Sequence, residues 1–215
     1  MSATIPTAGQ RTLDPVTFEV LRRSFEYASE RMSQVLQKAS FSPIIYDMVD
    51  YSNAIFDPNV ELIGQTANCP VHIAAMHFSA RASLARYPLD TLGPGDVIVL
   101  NDPYSGGTHV PDVTLSMPIF FEDELLAVAV SRAHWTDLGG NLDIHIGGEG
   151  LRLPPLMLMN GGVLNDDLVA VIKNNTRTRP TSRATSRPRS ARCAPPRTRC
   201  CAWPTSTAPT SSARA

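Results

Sequence analysis

Two histidines and a carboxylate stand close together in the middle of the chain. The segment Asn101-Asp-Pro-Tyr-Ser-Gly-Gly-Thr-His-Val-Pro-Asp-Val113 carries His109 and Asp112 directly after Gly106 and Gly107. His134 follows 25 positions after His109, in Arg132-Ala-His-Trp-Thr-Asp-Leu-Gly-Gly140. Two imidazoles and a carboxylate are a common ligand set for a catalytic divalent metal that keeps positions open for water or substrate. The bare spacing also admits packing or hydrogen-bonding roles for the same side chains.

Local geometry narrows how these residues could meet. Within one strand, positions i and i+3 face opposite sides, so His109 and Asp112 cannot share a ligand there. A helix would put them on one face, but Pro111 lacks the amide hydrogen and opposes a helix interior. A bend remains, with His109 closing the glycine loop and Asp112 entering the next strand. His134, at the end of the neighbouring hairpin strand, would approach both across the ladder.

Other candidates carry weaker signals. Asp102, in Asn-Asp-Pro, either caps a turn or supports the same loop as a catalytic carboxylate. Asp137, in Trp-Thr-Asp-Leu-Gly-Gly, either orients a ligand histidine or closes its own turn. Asp47 and Asp50 flank a strand and are further carboxylates within reach. His72 opens an Ala-rich helix and reads as structural; His145 reads as a substrate contact on a loop. No Gly-x-x-x-x-Gly-Lys-Ser/Thr and no Gly-x-Gly-x-x-Gly after a strand is present, so no nucleotide-phosphate loop is visible.

The elements that must position these residues read as a mixed α/β (α+β) fold: a hairpin-rich mixed sheet with flanking helices. Residues 1–13 form a loose, flexible arm. Asp14-Pro15 starts a helix, with Asp as N-cap and Pro at the first helical position. Its apolar positions are Val16, Val20, Leu21, Met32, Val35, Leu36 and Ala39, and it ends near Ser40. Tyr51–Asp57 alternates as a strand, Asp57-Pro58-Asn59 turns, and residues 60–63 return. Pro70 opens a second helix over Val71–Arg86. Asp96–Leu100 is a short buried strand. Val113–Phe121 and Leu125–Arg132 form a hairpin around the acidic tip Glu122-Asp123-Glu124. A long irregular stretch follows, punctuated by Gly139-Gly140, Gly147-Gly148 and Pro154-Pro155. A last helix covers Leu164–Ile172.

The 215 residues suffice for one domain plus a tail. The net charge of −1 hides an asymmetry. All 20 acidic residues precede Arg179, and eight of the 19 basic ones fall in 179–215, leaving 11 basic residues and a charge of −9 over 1–178. The acidic body does not suggest nucleic-acid binding, whereas an Arg-rich tail taken at face value would, as in a basic-tailed binding protein without catalysis. Residues 179–215 use only Arg, Pro, Thr, Ser, Ala, Cys and Trp and cannot bury a core. This low-complexity alphabet reads as a disordered tail and, more specifically, as the out-of-frame product of a GC-rich gene. Three of the four cysteines lie in it, leaving Cys69 alone, which reads as a small buried residue of a reduced compartment rather than a nucleophile. There is neither a secretory leader nor an apolar run of membrane length, so a cytoplasmic enzyme is the expectation.

The body resembles the hydantoinase B / 5-oxoprolinase family, which includes the alpha-type subunits of acetone and acetophenone carboxylases. The matching pieces are Asp14-Pro-Val-Thr-Phe-Glu-Val, Asp50-Tyr-Ser-Asn-Ala-Ile-Phe-Asp, Pro70-Val-His-Ile, Gly95–Val113, Ala133-His-Trp-Thr-Asp-Leu-Gly-Gly, Glu149-Gly-Leu-Arg-Leu-Pro-Pro and Asn174-Asn-Thr-Arg-Thr. They make 14–178 the N-terminal part of such a domain.

The resemblance implies a component of an ATP-dependent hydrolase that opens cyclic amides such as hydantoins or 5-oxoproline. It implies a hetero-oligomer with a hydantoinase A-type partner subunit that binds ATP. It also implies a divalent metal, Zn or Mn, on His109, Asp112 and His134. No nucleic acid or membrane enters this picture. Many hydantoinase-type members have a histidine where this chain has Trp135, which keeps an ATP-dependent ketone carboxylase as the alternative. The resemblance and the ordinary composition stop together near Thr178, as a truncating frameshift would produce.

Overall fold

The computed structural model describes residues 13–66, 68–141 and 146–177. The flexible arm before residue 13, the tail from 179 and the His145 substrate contact, all expected from sequence, lie outside the described residues.

Asp14 caps the first helix, α1 (Pro15–Ala39), as anticipated: its Oδ1 accepts from the amides of Val16 at 3.1 Å and Thr17 at 3.0 Å. The buried face differs from the expected apolar stripe. Val16, Val20, Leu21 and Val35 are exposed, while Ser29 and Ser33 are buried. Small residues face inward because the helix lies close upon the sheet. A Cβ on Gly64 would sit 2.7 Å from the carbonyl oxygen of Phe25.

After the short helix α2 (Pro43–Tyr46) come β1 (Tyr51–Phe56) and β2 (Leu62–Thr66). The return strand thus starts two residues later than residue 60, because Val60 takes a left-handed backbone with φ 65° that belongs to the turn. Helix α3 (Pro70–Arg86) follows, then β3 (Val97–Leu100), a 3-10 turn at Pro103–Ser105, β4 (Asp112–Phe121) and β5 (Glu124–His134). Directly after the irregular stretch come β6 (Leu156–Asn160) and β7 (Val163–Leu164), and the last helix, α4, is Asp166–Asn175 where Leu164–Ile172 was expected, because Leu164 pairs in β7.

Among the described residues seven strands form one sheet in the order β2-β1-β5-β4-β3-β6-β7, with antiparallel pairing throughout. The hairpin-rich α/β architecture is as expected, and the sheet is purely antiparallel rather than of mixed direction. Strand β1 is buried on both faces. Its Asn53 amide donates to Ser33 Oγ of α1 at 2.8 Å, whereas Ala54 and Phe56 pack with Met76 and Ala80 of α3. Alternation along the strand therefore puts α1 and α3 on opposite faces. Val99, Val113 and Ile172 share a cluster on the α1 side, so α4 covers that face too.

The register carries this alternation to the hairpin ends. Asp112 pairs with His134, Thr114 with Arg132 and Ser116 with Val130. These pairs face α3, as the packing of Val130 with Met76 shows. The first residue of β4 and the last of β5 thus point to the side where α3 begins.

Candidate metal centre

The glycine loop between β3 and β4 is fixed by its own sequence. Gly106 adopts φ 91°, a left-handed backbone that glycine takes without steric cost. A Cβ there would lie 2.6 Å from the carbonyl oxygen of Phe78 in α3, so backbone meets backbone. Asn101, fully buried, staples the loop from behind. Its amide donates to the carbonyls of Val110 at 2.7 Å and Leu151 at 3.0 Å, and its Oδ1 accepts from Leu153 N at 2.6 Å. A turn from the His109 carbonyl to the Asp112 amide, 3.0 Å, then brings His109 over the strand entry. The bend inferred around Pro111 is present.

Asp112 is the centre of the resulting cluster and is only 2% exposed. His109 Nε2 lies 2.9 Å from its Oδ1, and His134 Nδ1 lies 3.3 Å from the same oxygen. The His109 and His134 rings are 5.1 Å apart, centroid to centroid. On the other carboxylate oxygen, His72 Nε2 approaches to 3.3 Å and the Thr108 hydroxyl donates. Asp50 completes the set, 3.5 Å from His72 Nε2 and 3.8 Å from His134 Nδ1.

Burial alone would push the Asp112 carboxyl up. The hydrogen bonds from His109, His134, His72 and Thr108 outweigh it and hold the group far below the usual carboxylate range. The bond to Asp112 raises His109 above its ordinary value, against the opposing effect of burial and with further help from the charges of Asp112, Glu149 and Asp50.

These residues fit a divalent cation. Two imidazole nitrogens and an ionised carboxylate oxygen, all within 4.8 Å of one another, are the donors of His109, Asp112 and His134. Asp112 is buried and anionic, and neutral imidazoles are ready nitrogen ligands. Beside the cluster an open cavity of about 400 Å³ is lined by Phe41, Ser42, Ile45, His134, Trp135 and Thr136. A larger apolar groove between α1 and β2 shares no residue with the cluster.

Two further candidates are placed elsewhere. Asp102 caps the 3-10 turn, accepting from Tyr104 N at 3.3 Å and Ser105 Oγ at 3.1 Å. Asp137 accepts from Gly139 N at 2.8 Å and is bridged by Arg177, whose Nη2 lies 3.1 Å away. Asp102 thus holds its turn, the first of the two roles weighed for it, and Asp137 both closes its turn and ties it to Arg177. Asp47 ends α2, and only Asp50 of that pair reaches the imidazoles.

Sequence reasoning missed His72, which is not a bystander but 3% exposed against Asp112. It also missed Glu149, whose carboxylate accepts from Val110 N at 3.0 Å. Arg132 was missed as well. It is fully buried, donating from Nε to Thr114 Oγ1 at 2.8 Å and from Nη2 to Ser79 Oγ at 2.5 Å. Burial pushes its guanidinium down to about 10 against the pull of the Asp112 charge. Its Nη2 also reaches the Gly106 carbonyl at 3.4 Å, tying hairpin, loop and α3 together.

A buried aspartate ringed by histidines at the end of an antiparallel hairpin is a candidate metal site, and comparison with known proteins gives the family. The hydantoinase B/oxoprolinase family model matches residues 14–191, reaching past Thr178, and the chain belongs to that family. An uncharacterised protein of Methanocaldococcus jannaschii is 36% identical over 174 residues, 77% of this chain and 31% of that protein. The caprolactamase beta subunit of Pseudomonas jessenii is 36% identical over 175 residues, 78% of this chain and 30% of the subunit. The crystal structure of the ATP-dependent caprolactamase from Pseudomonas jessenii superposes with a TM-score of 0.69 at 33% identity, over 78% of this chain and 30% of that one. An acetone carboxylase structure gives 0.68 at 17% identity, over 77% of this chain and 23% of its own, a likeness of fold. The chain thus spans about a third of the length of these curated relatives. Among the described residues no helix is long and apolar enough to cross a membrane.

Proposed function

We propose that this chain supplies the metal-binding part of a hydantoinase B-type component in an ATP-dependent hydrolase of cyclic amides. The observation that carries the reading is the buried Asp112 carboxylate facing His109 and His134 at the ends of paired strands. Names among the relatives, caprolactamase and 5-oxoprolinase, support cyclic amides as the substrate class. The beta-subunit name supports a hetero-oligomer, with a hydantoinase A-type partner binding ATP.

His109, Asp112 and His134 would hold a divalent ion, Zn or Mn. Such an ion supplies Lewis acidity, polarising an activated carbonyl or lowering the pKa of bound water. The chain's own residues do the positioning. Asp112 stays ionised, Thr108 and His72 fix its second oxygen, and His109, 42% exposed at its side chain, presents the solvent-facing edge. Asn101, Asp102 and Arg132 hold the loop that carries His109. The cavity beside His134, with Phe41, Ile45 and Trp135 on its wall, suits the apolar ring of a lactam.

The ketone-carboxylase alternative drew on Trp135. That side chain packs with Val113 and Leu138 and lines the cavity beside His134, so it bears on the substrate and not on the carboxylate–imidazole contacts. The test is an assay with an A-type partner on 5-oxoproline, hydantoin and caprolactam, with and without bicarbonate. ATP-dependent ring opening that Asp112→Asn abolishes is expected. Turnover that requires bicarbonate and yields a carboxylated product would overturn the hydrolase reading.

A further inference from the structure

Beside the first ligand set lies a second one. Asp50, Cys69 and His72 also bring one carboxylate oxygen, one sulfur and one imidazole nitrogen within 4.8 Å of one another. These residues come from different elements. Asp50 precedes β1, Cys69 is the residue before α3, and His72 sits in the first turn of α3. Cys69 is held in place by a reciprocal pair of bonds with Ser52 of β1, each 3.2 Å. Asp50 is delivered by a backbone outlier. Val49 has φ 58°, costly for a β-branched residue, and strain of this kind collects at functional sites.

The two sets are joined by their carboxylates. Asp112 turns Oδ1 to His109 and His134 and Oδ2 to His72. Asp50 turns Oδ1 to His72 and Oδ2 to His134. Each aspartate therefore presents one oxygen to either group, the arrangement by which carboxylates bridge paired ions in two-metal sites. A separate observation concerns His72. It is 3% exposed, and its Nδ1 has no hydrogen-bond partner among the described residues. A buried polar atom is normally satisfied; with Nε2 turned to the two aspartates, Nδ1 is the ring nitrogen of His72 left without a partner.

The geometry points to a second metal position on Asp50, Cys69 and His72, sharing Asp112 and Asp50 with the His109–Asp112–His134 position to form a dinuclear centre. A sulfur, a nitrogen and carboxylate oxygens suit zinc or a similar borderline divalent ion. The inference rests on the metal reading proposed above and extends it from one ion to a pair.

The probe is Co2+ added to the metal-stripped full chain, because a cobalt–thiolate bond gives a charge-transfer band that nitrogen and oxygen ligands do not. Two equivalents are expected to bind per chain, the pair count of a two-metal site, with the band present. Cys69→Ser, checked for folding by circular dichroism, should lose the band and one equivalent while retaining the other. His109→Ala should keep the band. One equivalent and no band in the wild type would overturn the second position while leaving the first intact. Binding of no ion at all would overturn both. Cys193, Cys200 and Cys201 are replaced by Ser throughout, so that the band reports Cys69; should Cys69→Ser then fail to fold, the band in its parent decides alone.

Discussion

Asp112 and His134 are partners across the β4–β5 ladder, and His134 Nδ1 lies 3.3 Å from Asp112 Oδ1. The pairing matters because a hairpin register is stiff. Sliding it by one residue would turn both side chains to the opposite face. Asp112 and His134 thus sit on two strand ends, while the glycine loop contributes His109 and Thr108. Three consequences can be measured.

Asn101 makes three hydrogen bonds from a fully buried position. Asn101→Leu would leave the carbonyls of Val110 and Leu151 and the amide of Leu153 short of a partner. Each such loss costs about 1–3 kcal/mol. A drop in unfolding free energy of about 3 kcal/mol or more is expected in urea titrations, with weaker metal binding. A change below about 0.5 kcal/mol would show that the staple is dispensable.

Gly106 combines a left-handed backbone with a Cβ path blocked by Phe78. Gly106→Ala should cost about 1–3 kcal/mol in strain alone and displace the loop. His109 rides on that loop and His134 does not, so the variant should lose metal affinity while the β4–β5 hairpin keeps its amide-exchange protection. Native affinity in Gly106→Ala would disconnect the loop from the site.

Protonation gives opposite trends for the metal-free and metal-loaded forms. The pKa of His109 is raised above 6.5, so its contribution to stability is fully present below pH 6.5 and is lost as pH rises through the folded value. The pKa of Asp112 is lowered below 3.8, so its contribution is present above that pH and is lost as the solution is acidified toward the folded value. Thermal melts of the metal-free chain should therefore be highest between these limits and decline on the alkaline side, with the decline absent in His109→Gln. Metal affinity should instead rise with pH, since the ion competes with protons for the imidazoles. A wild-type alkaline limb identical to that of His109→Gln would contradict the His109–Asp112 bond.

Much of this centre was legible in the sequence, for reasons that can be named. Pro111 forbade a helix and forced the bend between His109 and Asp112. The acidic tip at Glu122–Glu124 fixed the hairpin whose ends hold Asp112 and His134. His72 was hidden because its importance comes from where α3 crosses the sheet, a contact 40 residues away in sequence from Asp112. Its placement two residues after Pro70, at a helix start rather than mid-face, was the available hint.

The fold shows the same division. Caps and turns were local and readable, as with Asp14 and Pro15. The buried face of α1 was not, because close approach at Gly64 favours Ser29 and Ser33 over the valines. Strand β6 was obscured by Pro154-Pro155 just before it, and its place depends on pairing with β3, which no local pattern records.

In the proposed centre His109, Asp112 and His134 hold a divalent metal. Elemental analysis after equilibrium dialysis against zinc or manganese tests it directly, comparing wild type with His109→Ala. Bound metal in the wild type and its loss from the His109, Asp112 and His134 position in the variant is the predicted result. An unchanged metal content in His109→Ala would contradict the account.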